Sequence, residues 1–301
     1  MRLQGSITAL ATPFTAAGEV DLPAWTALLS RQIAGGTQAL VVAGSTGEAA
    51  ALDDSEYAEL LRAAVSVASG RVPVLAGTGL SNTEKTVRLC RFARDAGADV
   101  ALVVTPPYVR PTQDGLRRHY LEIAERGALP VVLYNVPGRT GCDLLPETVA
   151  HLATHPNIVG VKEARVEPER MQALLAFKSS DFAVLSGDDP TACRALLAGA
   201  DGVISVASNA LPASMRRLVD LCRMSGVEAD RLDAELQPLF TLLGIEPNPI
   251  PIKALLAELG LCHDALRLPL LPLSLAHRAA LAEGVLLVAT LESRSQRLLA
   301  A

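Results

Sequence analysis

Short apolar runs rich in Val and Ile begin near Ser6, Ala39, Pro73, Val100, Pro130, Ile158, Phe182 and Gly202, and segments with helical spacing and charged outer faces separate them. Successive runs start about 28 residues apart on average between Ser6 and Gly202. That spacing accommodates a parallel strand, a loop, a covering helix and a return. The spacing predicts helices over Leu22 to Gly35, Asp53 to Ala68, Thr83 to Ala96, Gln113 to Arg126 and Glu167 to Lys178. Gly35-Gly36 and Gly97 stop two of them, and Asp189 before Pro190 reads as an N-cap followed by proline at the first helical position.

Eight strand-helix units predict an α/β fold, a (β/α)8 TIM barrel, over residues 1–225, since such barrels occupy roughly 200 to 250 residues. An open doubly wound sheet is the runner-up. It would carry a Gly-rich phosphate loop after its first strand, where this chain has Ala11-Thr12-Pro13-Phe14. Residues 226–301 hold three leucine-rich helical stretches separated by Pro247-Asn248-Pro249 and by Pro269 to Pro272. They read as a C-terminal helical extension packed on the barrel or on another subunit.

Half of the residues are apolar and a fifth are charged, a composition that excludes a disordered chain. The net charge of -5 offers no footprint for nucleic acid or an anionic membrane, so neither is expected as a partner. The longest uncharged runs, Leu3 to Gly18 and Gln32 to Gly47, have 16 residues each and are interrupted by Gly, Thr, Gln or Pro; no membrane span is expected. Met1 to Gly5 lead into a strand-like stretch without an apolar leader, and the five cysteines show no C-x-x-C pair. Both point to a cytoplasmic protein with reduced thiols and no zinc site.

In a barrel of this kind the active site is built from the loops at the carboxyl ends of the strands. The unusual residues fall there: Gly44 to Glu48, Gly77-Thr78-Gly79, Thr105 to Tyr108, Tyr134 to Arg139, Lys162-Glu163, Ser186 to Asp189 and Ile204-Ser205. Hydroxyls, one lysine, one arginine and two tyrosines among small residues suit a compact, oxygen-rich ligand. Lys162 is the sharpest of them. Strand alternation places it on one face with Ile158 and Gly160, and if that face is the barrel interior, lost hydration favours a neutral amine that attacks carbonyls. The alternatives are a lysine that snorkels outward or one that pairs with Glu163. Tyr134 ends the preceding strand and is placed to move protons for such an amine, or else is a packed core tyrosine. Arg139 suits bidentate capture of a carboxylate, or is a surface arginine.

Other patterns carry less. Gly77-Thr78-Gly79 lacks a third glycine, Gly44 to Glu48 lacks the Gly-Lys of a phosphate loop, and Ser45 is not in a G-x-S-x-G elbow. His151 and His155 stand at i, i+4 without an intervening glutamate, and Asp188 and Asp189 read as caps of the next helix rather than metal ligands.

These residues resemble the dihydrodipicolinate synthase and N-acetylneuraminate lyase family of pyruvate-dependent class I aldolases over nearly the whole chain. The resemblance rests on Gly44-Ser45-Thr46-Gly47-Glu48, Thr105 to Pro111, Tyr134 to Gly141, Lys162-Glu163-Ala164, Ser186-Gly187-Asp188, Gly202 to Ser205 and Asn248-Pro249 to Lys253. It implies that Lys162 forms an imine with pyruvate, that Tyr134 donates and accepts protons, and that Ser45 with Tyr108 completes a proton relay. It further implies that Thr46 and Ile204 hold pyruvate and Arg139 the carboxylate of the second substrate. The implied reaction joins pyruvate to L-aspartate 4-semialdehyde, giving 4-hydroxy-tetrahydrodipicolinate on the diaminopimelate route to lysine. No metal or organic cofactor is implied, and Tyr108 reaching a neighbouring subunit implies a homotetramer of two tight dimers.

Three departures qualify the match. Synthases usually carry threonine where Ser45 stands, and serine is common in the sugar-acid lyase branch. Arg139 favours the synthase, because lyases generally lack it, and a guanidinium chooses the substrate where Ser and Thr share the same proton chemistry. Lysine-inhibited relatives carry two histidines, an asparagine, a glutamate and a tyrosine where this chain has Asp54, Tyr57, Ser81, Lys85 and Pro107, so weak or absent feedback inhibition is expected. The rivals are a sibling aldolase or dehydratase acting on a sugar acid through the same imine, and a barrel that binds a small acid without turnover.

Overall fold

The computed structural model describes residues 2–224 and 226–299. Eight parallel strands close into a barrel in chain order: β1 Gly5–Ala9, β2 Ala39–Val42, β3 Val74–Gly77, β4 Val100–Val104, β5 Val131–Asn135, β6 Ile158–Glu163, β7 Ala183–Ser186 and β8 Gly202–Ser205. All eight start within a residue of the predicted positions. Helices α1 Leu22–Ala34, α2 Asp54–Ala68, α3 Thr83–Asp95 and α4 Gln113–Arg126 cover the first strands, followed by α5 Pro137–Thr140, α6 Pro146–Leu152, α7 Pro168–Leu175, α8 Ala192–Leu197 and α9 Pro212–Met224. Three further helices, α10 Gly226–Leu243, α11 Ile250–Glu258 and α12 Arg278–Leu299, form the extension. None of the described helices is long and apolar enough to cross a membrane.

Alternation along the strands divides the apolar residues into two layers. Ile7, Val41, Leu75, Leu102, Val132, Tyr134, Leu185 and Ile204 belong to the interior. Leu40, Val42, Ala76, Val103, Leu133 and Val184 face outward under the helices. A third cluster joins α8 and α9 to all three helices of the extension, so the extension packs on its own barrel. Glu292 of α12, itself buried, accepts hydrogen bonds from the N–H groups of Ala213 and Ser214 at 2.9 and 3.0 Å, satisfying the amide end of α9.

Local signals explain several ends. Asp53 caps α2 by accepting from the Glu56 N–H while Glu56 returns a bond to the Asp53 N–H, and Gly36 and Gly97 leave α1 and α3 in the left-handed region at φ 85° and 94°. Asp189 is not the expected N-cap. Thr191 holds that position before α8, and it is Asp188 that binds the Thr191 N–H and hydroxyl. Asp189 is buried and accepts from the N–H groups of Val206 and Ala207 at 2.9 and 2.8 Å, where β8 leaves amides without sheet partners. Although far apart in sequence, Cys193 and Cys222 face each other with Sγ atoms 3.7 Å apart.

Candidate active site

The geometry of β6 decides where Lys162 points. β5 and β6 run parallel with Val131 opposite Ile158 but Val132 opposite Gly160, so Val159 is an extra residue in β6. Beyond the bulge, Leu133 pairs with Val161 and Tyr134 with Lys162. Ile158 and Val161 therefore pack in the outer layer, while Gly160 and Lys162 share the interior face with Val132 and Tyr134. The expectation that Ile158 lies on the face of Lys162 is corrected, because one inserted residue reverses alternation across it.

Lys162 is buried, and its Nζ lies 4.1 Å from the centre of the Tyr134 ring. Glu163, next in the chain, points to the other face, where it accepts from Asn135 Nδ2 at 3.0 Å and from the Arg165 N–H at 2.8 Å. Burial raises the Glu163 carboxyl to about 6. Pairing of Lys162 with Glu163 is thereby excluded. Gly187 leaves the space that Lys162 occupies: a β-carbon on it would come within 2.8 Å of the lysine Cε.

Tyr134, Ser45 and Arg139 border a common cavity of about 530 Å³ at the carboxyl end of the barrel. Ser45 lies half-buried on the loop between β2 and α2. That loop is held by its neighbours: Thr46, buried, accepts a hydrogen bond on Oγ1 from Asn248 Nδ2 at 3.0 Å, and the Gly47 carbonyl accepts from Thr12 Oγ1 at 2.7 Å. Arg139 stands exposed on the single turn α5, its Nη2 donating to the Asn248 carbonyl at 3.0 Å. Ile204 is buried in the interior layer opposite Ile7.

Tyr108 is not brought to this group within one chain. It is 91% exposed on the loop after β4, with φ 74°, and its N–H is tied to the Thr140 carbonyl. His151 ends up in the last turn of α6 and His155 beyond that helix, so the i, i+4 spacing does not become a shared helix face. The extension also supplies cavity wall that no role had been assigned to: Asn248, Arg267 and Leu268 to Leu270. In the sequence Pro247-Asn248-Pro249 marks a break between helices and Asn248-Pro249 opens a segment of the family resemblance, but neither places it over the barrel mouth, which depends on contacts some 200 residues apart in sequence.

The Dihydrodipicolinate synthetase family model matches residues 2–286. A 4-hydroxy-tetrahydrodipicolinate synthase of Xanthomonas axonopodis pv. citri is 62% identical over 298 residues, covering 98% of each chain. Among solved structures, the dihydrodipicolinate synthase of Acinetobacter baumannii complexed with pyruvate superposes with a TM-score of 0.93 at 42% identity, over 95% of this chain and 99% of that one. A monomeric dihydrodipicolinate synthase variant also gives 0.93, at 40% identity over 95% and 97% of the two chains.

Proposed function

The chain belongs to the dihydrodipicolinate synthetase family, and on that premise we propose that it is a 4-hydroxy-tetrahydrodipicolinate synthase, condensing pyruvate with L-aspartate 4-semialdehyde through a Schiff base. The observation that carries the reading is a buried lysine, level with a tyrosine, on the inner face of the barrel at its carboxyl end. The Lys162 amine attacks C2 of pyruvate, and loss of water leaves an imine. Removal of a C3 proton gives the enamine, whose C3 attacks the aldehyde. The amino group of the second substrate then displaces Lys162, closing the ring and freeing the enzyme.

Tyr134, beside the amine, carries the protons that carbinolamine formation and dehydration require. Ser45 and a Tyr108 from a neighbouring subunit extend the relay, which requires at least a dimer; the family resemblance extends the assembly to a homotetramer of two such dimers. The 91% exposure of Tyr108 supports a destination outside its own chain. Thr46 and Ile204 hold pyruvate, and Arg139 at the cavity wall takes the carboxylate of the aldehyde substrate. Residues 1–225 act as the catalytic barrel and residues 226–301 as the extension that completes its mouth, in a cytoplasmic enzyme. Feedback by lysine is weak or absent, since Lys85 stands where inhibited relatives carry a carboxylate and the Tyr57 hydroxyl is committed to the Gly77 carbonyl at 3.1 Å. Half-inhibition by sub-millimolar lysine would contradict this.

The assay that tests the reading offers pyruvate with aspartate semialdehyde and, separately, a sugar acid for cleavage. Turnover confined to the first supports the synthase; turnover confined to the second assigns the sibling aldolase chemistry that Ser45 also suits. Sedimentation of the assembly tests the tetramer, a monomer of full activity being the contrary result.

A further inference from the structure

The segment from Asn248 to Lys253 contributes to the family resemblance without a task of its own, and in the fold it lies against the loop that carries Ser45 and Thr46. Lys253 Nζ sits 2.6 Å from Glu48 Oε1 with both side chains almost fully buried. The other Glu48 oxygen accepts the Arg267 N–H at 3.0 Å, and both the Lys253 ammonium and the Arg267 guanidinium lie over the Phe14 ring, 4.1 and 4.3 Å from its centre. Of the three successive loop residues 46, 47 and 48, two are therefore held by residues of the extension.

We propose that the Lys253–Glu48 pair is a positioning device for the reaction: from the C-terminal extension it fixes the β2–α2 loop, and with it the Ser45 hydroxyl at the cavity wall and the adjoining Thr46 hydroxyl. The inference rests on the roles read above for those hydroxyls. Glu48 adopts a left-handed backbone at φ 52°, a conformation that a residue with a β-carbon keeps only where its surroundings impose it. Its carboxylate bonds are the surroundings that do so. A buried ion pair is in general no more stabilising than an apolar pair of the same size, but it accepts a much narrower set of geometries. Proton relays depend on such geometry, because displacement of a group by about 1 Å can cost on the order of a hundredfold in rate.

The test compares wild type, Lys253→Met and the double variant Lys253→Met with Glu48→Gln. The single variant leaves a carboxylate buried without its partner and should melt early. In the double variant the melting temperature should return to within a few degrees of wild type while kcat stays at least tenfold low, and exchange of the backbone amides at positions 47 and 48 should accelerate. Recovery of melting temperature, kcat and wild-type exchange together would reduce the pair to scaffolding and overturn the proposal. Should the double variant not fold, native-state exchange on the wild type decides: the loop amides should open together with those of α11, and independent opening at lower denaturant contradicts the clasp. A wild type inactive with both substrates would sink the functional reading alone, since the exchange result still stands or falls on its own.

Discussion

Two of the four lysines in this chain are buried over an aromatic ring at the same distance, Lys162 over Tyr134 and Lys253 over Phe14, each 4.1 Å from the ring centre. They differ in the carboxylate beside them. Glu48 accepts a hydrogen bond from Lys253 Nζ at 2.6 Å, whereas Glu163 follows Lys162 in the chain yet points to the other face of the sheet, to Asn135. Burial lowers the Lys253 pKa from the ordinary lysine value while Glu48 opposes that shift, and the short contact ties the nitrogen to a carboxylate rather than leaving it to a substrate. A lysine that lies buried beside a phenol, itself part of the cavity wall, is placed to meet a keto acid. Burial alone does not separate a structural lysine from a nucleophile; the partner does.

Exchanging function and stability between the two sites is the strongest way to break this comparison. Lys162→Met should lower turnover by on the order of 10⁴ or more while leaving the melting temperature unchanged or higher, because no paired carboxylate is stranded. An unfolded Lys162→Met protein, or one still active, would contradict it. Lys253→Met should instead lower the unfolding free energy by about 3–5 kcal/mol in denaturant titrations, the cost of leaving Glu48 buried and unpaired. Between these lies Arg139→Ala. It should lower kcat/KM for the semialdehyde by about a hundredfold, roughly 2.7 kcal/mol, with pyruvate binding unaffected.

Glu163→Gln sharpens the comparison from the other side. If Glu163 were the counter-ion of Lys162, its loss would cripple turnover; turned away, it should leave turnover near wild type. Its effect should appear in stability. The folded carboxyl titrates near 6 against an ordinary 4.5, so wild type holds this contribution below about pH 4.5 and loses it as pH rises through 6. Melting curves of the variant should therefore gain on wild type by up to ~2 kcal/mol at pH 7 and coincide with it near pH 4.5. The smallest effect is expected from Gly187→Ala, whose methyl would crowd the lysine Cε at 2.8 Å: about tenfold in kcat with little change in melting temperature.

The barrel was legible because its signal is local. Runs of Val and Ile recur at strand-helix spacing, most of them closed by Gly, Pro or Asn, and the strand starts coincide with the structure to within one residue. The site was legible in part: Lys162, Tyr134, Ser45 and Arg139 are strand-end or loop residues of unusual type in their setting, and the first two do lie side by side. The bulge at Val159 was hidden, since Ile158-Val159-Gly160 reads equally well with or without an extra residue, and only the partner strand reveals it. Asp189 misled because a cap and a buried acceptor for the amides after β8 have the same residue preference. Asn248, Lys253 and Arg267 could not be placed from periodicity, their partners Thr46 and Glu48 being roughly 200 residues away.

The most direct test of the central claim is reduction of the enzyme with borohydride in the presence of pyruvate, followed by peptide mass mapping. The account predicts one stable adduct per chain, on Lys162 and absent from Lys162→Ala. An adduct on another residue, or none while the enzyme turns over, would contradict it.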